Sequence, residues 1–278
     1  MKLATIRLEG RTAAVRVEGD HLVELGLPDV GTVLAAPDGL ATAATADGPR
    51  HAAVGAEFAA LVPRPTKVIC VGLNYQKHIK EMGRDLPEFP TLFAKFADVL
   101  IGAHDDIQRP AETEQFDWEA ELAVVVGRQV RRADEAEAEA AIAGFTVVND
   151  ITCRDWQFRT REWLQGKNWE STTPIGPYLV TRDEAGGPRP ALDVRCEVNG
   201  RVMQQDNTAD LLFDPVDLVR YVSTMIRLNP GDIISTGTPG GVGQARTPQV
   251  FLREGDTVVT EIQGLGRLEN RVVADGSQ

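Results

Sequence analysis

The sequence predicts an α+β fold that is predominantly β, with a small β-rich N-terminal domain over residues 1–63 and a larger mixed-β domain over residues 64–278. Three observations carry this. Short apolar runs recur along the chain, bounded by Gly, Pro, Asn and Asp. Helical patterns are few and do not alternate with the strands, which excludes a βαβ array. Between residues 62 and 65, Val-Pro-Arg-Pro forms a stiff break between an Ala/Gly/Asp-rich stretch and a continuous apolar strand.

The elements follow in order. Leu3–Leu8, Thr12–Val17 and His21–Leu25, separated by Gly10 and Gly19-Asp20, read as a meander. Residues 32–60 have weak helical character. Lys67–Gly72 is a central strand running into a short helix that Asn74 can cap and Gly83 can end. On that helix His78 and Glu81 share a face, as a general base oriented by a carboxylate or as an ordinary surface ion pair. Residues 84–90 are a Pro-containing loop. The strand Thr91–Phe96 places Lys95 among Leu92, Phe93 and Phe96, where it either snorkels or aims at an anion. Residues 103–116 are polar and irregular, suiting a loop over a site.

The stretch Phe116–Gly127 ends as a buried strand, yet carries Glu119 and Glu121 at i and i+2, on one face. Two anions beside a core strand are costly unless a cation neutralises them. Ala133–Ala143 reads as an acidic helix with Gly144 at its end. The strand Phe145–Val148 leads to Asp150, followed by a helix with Arg154 and Gln157 at i and i+3. Asp150 either completes a polar corner or caps that helix. Residues 158–170 are a basic island in an acidic chain, with Arg159, Arg161 and Lys167, and Gly166-Lys167 in a loop would present an ammonium. The strand Tyr178–Val180 comes next. Asn199-Gly200 is a strong hairpin signal between Asp193–Val198 and Arg201–Gln205. Asp214-Pro215 opens a helix reaching about Ile226. Ile233–Thr236 is a buried strand, and the glycines of Thr236–Gly243 let backbone N–H groups approach an anion, although no G-K-[ST] is present. Thr257–Ile262 and Leu268–Val273 close the chain as a strand pair.

Composition narrows the function. With 278 residues, 42% of them hydrophobic, the chain can bury a sizeable core. A net charge of -12 offers no basic face to phosphates, which excludes a nucleic-acid partner and leaves an anionic small molecule dependent on a local cation. Cys70, Cys153 and Cys196 are widely spaced, odd in number and lack a C-x-x-C pair, so they read as reduced core thiols. No apolar run reaches the ~18 residues of a membrane span, and the first residues show no signal-peptide pattern. The expectation is a soluble cytoplasmic protein with no membrane partner.

Three carboxylates, Glu119, Glu121 and Asp150, suit a hard divalent ion such as Mg²⁺, Mn²⁺ or Ca²⁺ rather than zinc. Three protein ligands leave positions open for water and for an anionic chelating substrate such as a 2-oxo acid. Lys167, Arg154 and Gln157, with Lys95 as a further cation, could hold the rest of it, and His78 with Glu81 could activate a water.

Asn74-Tyr75-x-x-His78-x-x-Glu81, Glu119-x-Glu121, Asp150-x-x-x-Arg154-x-x-Gln157, Gly166-Lys167 and Thr236-Gly237-Thr238-Pro239, in that order, resemble the fumarylacetoacetate hydrolase family over residues 67 to about 273. The resemblance implies a mixed β-roll or β-sandwich catalytic domain, a divalent metal (usually Mg²⁺) and usually a homodimer. It implies metal-ligand roles for Glu119, Glu121 and Asp150, and a dyad on a lid helix for His78 and Glu81. It implies substrate contacts for Lys167, Gln157 and Thr238, and a supporting role for Arg154. Residues 1–63 match the variable small N-terminal domain of bacterial members. The activity it implies is hydrolysis of a C–C bond in a β-diketo acid of the acylpyruvate or fumarylpyruvate type, releasing pyruvate through a metal-stabilised enolate. Oxaloacetate decarboxylation, isomerisation or decarboxylation in homoprotocatechuate breakdown, sugar-acid cleavage, and metal-dependent carboxylate binding without turnover stay open as alternatives.

Overall fold

The strand Ala120–Val126 is buried at every residue and lies between Ile142–Asn149 and Ile233–Ser235, antiparallel to both. The structure is a computed structural model that describes residues 1–276 apart from Met82 and Arg84, with the backbone but not the side chain of Glu81. Burial on both faces explains why this strand reads as a continuous apolar run rather than an alternation. Beyond Ile233–Ser235 the sheet continues, in parallel pairing, to Val68–Gly72 and then antiparallel to Thr91–Lys95. On the other side it continues through Thr173–Thr181 to the N-terminal strand Lys2–Leu8, which registers Lys2 opposite Val180. A second sheet of five strands contains the hairpin Asp193–Val198 and Arg201–Asn207, with Thr257–Ile262, Gly266–Ala274 and Ile107–Arg109. The fold is mostly β, as the sequence predicts.

Local signals explain several boundaries. Asn199 (φ 52) and Gly200 (φ 75) both take the left-handed conformation that a tight hairpin requires. The Asp214 carboxylate accepts from the N–H groups of Val216 and Asp217, and Pro215 opens the helix Pro215–Met225. Gly83 (φ 67) ends the helix Gln76–Glu81, its N–H donating to Lys80 O.

Two expectations change. Asn74 does not cap the helix after it. It is fully buried, its Nδ2 donating to the carbonyls of Thr236 and Phe213 and its Oδ1 accepting from Phe213 N–H. It therefore stitches the end of Val68–Gly72 to the Gly-rich loop. Gly144 is no helix end: the helix is Glu135–Ala141, closed at its start by an Asp134/Glu137 capping box, and the chain enters the strand Ile142–Asn149 directly. A Cβ at Gly144 would lie 2.0 Å from Val180 O, so strand pairing, not termination, requires this glycine. The segment before residue 64 packs onto the rest of the chain. Its strands extend the main sheet, and Ala4, Ile6, Val15 and Phe58 share one apolar cluster with Leu122, Val124 and Phe145.

Candidate metal centre and active site

Register brings the carboxylates together. Ala120 faces Asn149 across the antiparallel pair, so Glu119 and Asp150 emerge at the same end of neighbouring strands. Glu119 N–H donates to Asn149 Oδ1 (2.9 Å), and Asp150 N–H donates to Glu119 O (2.9 Å). Glu121 lies one step into the strand. One oxygen from each of Glu119, Glu121 and Asp150 lies within 4.8 Å of the others, and all three residues are buried.

Cations from distant segments meet this trio. Lys167 Nζ donates to Glu119 Oε2 and Asp150 Oδ2, each at 2.7 Å. Lys167 is the last residue of the short helix Leu164–Lys167, not of a loop. Gly166 makes that position possible: a Cβ there would lie 2.5 Å from Gln157 N and 2.6 Å from Cys153 O, so only glycine lets this helix pack against Arg154–Gln157. Arg154 Nη1 pairs with Glu119 Oε1 (2.7 Å) and donates to Gln157 Oε1 (3.0 Å), while its Nε pairs with Asp117 Oδ2 (2.9 Å).

The charges are compensated to different degrees. Burial lowers the basicity of Lys167, but Asp150 and Glu119 raise it further, and the net shift is upward. Arg154 follows the same pattern through Glu119 and Asp117. Burial favours neutral Asp150, yet Lys167 and Lys95 outweigh it and hold the carboxyl below its ordinary range. Glu121 is the exception. Burial, then Asp150 and Glu119, push its carboxyl well above the usual range. If every carboxyl is ionised, as metal ligation requires, Glu119, Glu121, Asp150 and Asp117 set four negative charges against the three positive charges of Lys95, Lys167 and Arg154. A divalent cation would turn that surplus into one net positive charge, which an acid substrate could neutralise. All-oxygen ligands, buried and short of positive charge, fit a hard divalent ion.

Glu119 and Glu121 border a cavity of ≈ 180 Å³, and Lys167, which also lines it, links Glu119 to Asp150 behind. Its polar floor comprises Glu119, Glu121, Arg154, Gln157 and Lys167, and Val71, Phe93, Phe158, Trp163 and Val242 supply apolar wall. Gly72 makes room for Trp163, because a Cβ would approach its ring to 2.3 Å. Lys167 Nζ also lies 4.8 Å from the Phe93 ring centre. His78 lines the cavity from its helix, whereas the side chain of Glu81 lies outside the described residues. Thr238 lines it too, with its Oγ1 donating to Ala120 O and accepting from Gln204 Nε2.

The structure thus gathers Glu119, Glu121, Asp150, Lys167, Arg154, Gln157, Thr238 and His78. Lys95 departs from its expected role as a substrate contact. It sits behind the site, its Nζ donating to Asp150 Oδ1 (2.6 Å) and Ile151 O (3.2 Å), and it does not line the cavity. It supports a carboxylate. The residue that spacing could have revealed is Asp117, which continues the alternation Asp117-x-Glu119-x-Glu121. Fully buried, it accepts from Trp118, Gly243 and Gln244 N–H as well as from Arg154, and so anchors both the arginine and the Gly-rich loop. Ser235 and Gln204 left no signal, because their partners are far away in sequence.

The chain as a whole is similar to known proteins. The model of the fumarylacetoacetate (FAA) hydrolase C-terminal domain matches residues 67–273. The mitochondrial oxaloacetate tautomerase FAHD2A of Bos taurus is 46% identical over 218 residues, covering 78% of this chain and 69% of that protein. The structure of 5-carboxymethyl-2-hydroxymuconate delta-isomerase from Mycobacterium smegmatis is 33% identical, with a TM-score of 0.83 over 99% of this chain and 100% of that one. Maleylpyruvate hydrolase from Sphingobium sp. SYK-6, solved with manganese(II) and pyruvate, is 26% identical, with a TM-score of 0.82 over 99% of both chains. The motifs, the fold and these similarities agree, and the chain belongs to the fumarylacetoacetate hydrolase family.

Proposed function

We propose that this protein is a divalent-metal-dependent enzyme that moves a proton at the carbon beside the 2-oxo group of a small 2-oxo acid, with oxaloacetate keto–enol interconversion as the first reading. The observation that carries it is Lys167 Nζ bridging Glu119 and Asp150 at the floor of a cavity that His78 also lines. The reaction class is the one named for the 46% identical bovine relative, and the delta-isomerase among the structural neighbours is likewise named for an isomerisation. A divalent cation held by Glu119, Glu121 and Asp150 (Mg²⁺ or Mn²⁺) would supply Lewis acidity toward the 2-oxo-carboxylate end of the substrate. Lys167 stabilises the negative charge that develops as the proton leaves carbon, acting in a site where burial strengthens electrostatics. His78 takes and returns that proton. Arg154, fixed by Asp117, keeps Glu119 and Gln157 in place.

His78 on the cavity wall also favours a second reading, hydrolysis of an acylpyruvate with His78 drawing a proton from water, and the maleylpyruvate hydrolase neighbour supports it. Decarboxylation of oxaloacetate would use the same charge stabilisation without the water. One panel separates these: with Mg²⁺ or Mn²⁺, loss of oxaloacetate enol absorbance, pyruvate release from acetylpyruvate, and CO₂ release are read in parallel. Enol conversion that is faster than the other two, and is lowered by roughly 10²–10³ in Lys167→Met, is the expected result. Tight oxalate binding with no turnover on any substrate would instead make this a carboxylate-binding protein. A homodimer and a cytoplasmic setting belong to the same proposal, the former checked by light scattering of the eluted protein. Among the described residues, no helix is long and apolar enough to cross a membrane.

A further inference from the structure

Each carboxylate of the trio has one oxygen secured from behind. Arg154 Nη1 takes Glu119 Oε1, and Lys95 Nζ takes Asp150 Oδ1. On Glu121, two neutral donors converge on a single oxygen. Ser235 Oγ and the N–H of Gly237 (2.9 Å) both donate to Oε2. Ser235 is 1% exposed and sits on the strand Ile233–Ser235, with Ala123 opposite it, so its hydroxyl is fixed by sheet register rather than by a mobile loop. Gly237 takes φ +98, and a Cβ there would lie 2.9 Å from Val71 O, so this N–H too is fixed by its packing. The opposite oxygens of Glu119 and Asp150 converge on one ammonium, Lys167 Nζ, at 2.7 Å each. A cation here would take Oε1 of Glu121 and share with Lys167 the facing oxygens of Glu119 and Asp150, one oxygen from each carboxylate.

We propose that Ser235, with the Gly237 N–H, is a positioning residue that confines Glu121 to a single ligand oxygen, and that the site thereby selects a small divalent cation of the Mg²⁺/Mn²⁺ class over Ca²⁺. The inference rests on reading the trio as a divalent-cation site. The physical reason is coordination number. Ca²⁺ takes about six to eight oxygens and often gains them from bidentate carboxylates, whereas Mg²⁺ is content with one oxygen from each of a few carboxylates plus water. Carboxylates whose second oxygens are already engaged cannot readily turn bidentate. Donors behind a metal ligand characteristically change metal affinity by about 10–100-fold.

The test is binding, not turnover. Mn²⁺ affinity is read by electron paramagnetic resonance of the free ion and Ca²⁺ affinity by competition, on the full chain. Wild type should bind Mn²⁺ more tightly than Ca²⁺. Ser235→Ala should weaken Mn²⁺ by about tenfold or more, weaken Ca²⁺ less, and so move the preference toward Ca²⁺. Ser235→Thr, which keeps the hydroxyl, should restore the wild-type preference. Equal loss for both ions, unchanged Mn²⁺ affinity in Ser235→Ala, or a wild type that binds Ca²⁺ at least as tightly as Mn²⁺ overturns the proposal. Wild-type protein that binds neither ion would instead remove the metal centre itself, a distinguishable failure.

Discussion

The two ends of one sheet use the same chemistry in different surroundings. At the N-terminal end, Arg50 pairs with Glu18 with side chains 51% and 35% exposed. At the site end, Lys95 pairs with Asp150 with both side chains 1% exposed. An exposed pair is screened by water and contributes little. A buried pair must offset the loss of hydration, and removing one partner strands the other. The site end accepts that cost because the same burial strengthens the electrostatics and, among the described residues, leaves Glu121 with neutral donors rather than an ion pair of its own. Ion pairing at one end holds a surface together; at the other it prepares a charge deficit that a metal can fill.

Glu119→Ala should give the largest effect. It removes a proposed metal ligand and deprives Lys167 and Arg154 of a shared anion. Turnover should fall by roughly two orders of magnitude or more, and chemical denaturation should show a loss of about 3–5 kcal/mol. Full metal-dependent activity in this variant would erase the contrast between the two ends.

Gly166→Ala comes next. The added methyl meets backbone atoms of Gln157 and Cys153 that cannot swing away. Stability should fall by about 1–3 kcal/mol, and kcat by roughly 10–100-fold as Lys167 is lifted from the floor. A drop in stability with unchanged kcat would show that the position of Lys167 does not depend on this close packing.

Glu121→Gln sharpens the comparison through pH. The folded-state carboxyl of Glu121 is raised above its unfolded value. The folded state therefore binds the proton more tightly, and this contribution is fully present below the unfolded pKa of about 4.3 and is lost as pH rises through the folded value. Metal-free wild type should lose stability relative to Glu121→Gln across that rise. Added Mg²⁺ should reverse the difference in wild type only. Parallel melting-temperature profiles with and without metal would contradict the assignment.

Arg50→Ala should do least. Its melting temperature and turnover should match wild type, because the pairs it breaks, with Glu18 and Asp47, are solvated.

Much of this was legible in the chain. Asn199-Gly200 fixed a hairpin, Asp214-Pro215 fixed a helix start, and the apolar run after Glu121 fixed a buried strand, because each depends on φ preference, capping or periodicity within a few residues. The alternation Glu119-x-Glu121 and the carboxylate at a strand end announced an anionic cluster for the same reason. The sequence alone could not say that Lys95 faces Asp150 rather than the cavity, that Asn74 ties two loops together, or that Gly144 serves strand pairing. Nor could it say that the first strand of the chain would pair with Thr173–Thr181. Those outcomes depend on partners brought together by sheet register from tens to more than a hundred residues away, such as Ser235 against Glu121. Local propensity determines which segments become strands. Only the assembled sheet decides which buried charges meet, because the energy of a charge depends on what surrounds it after folding.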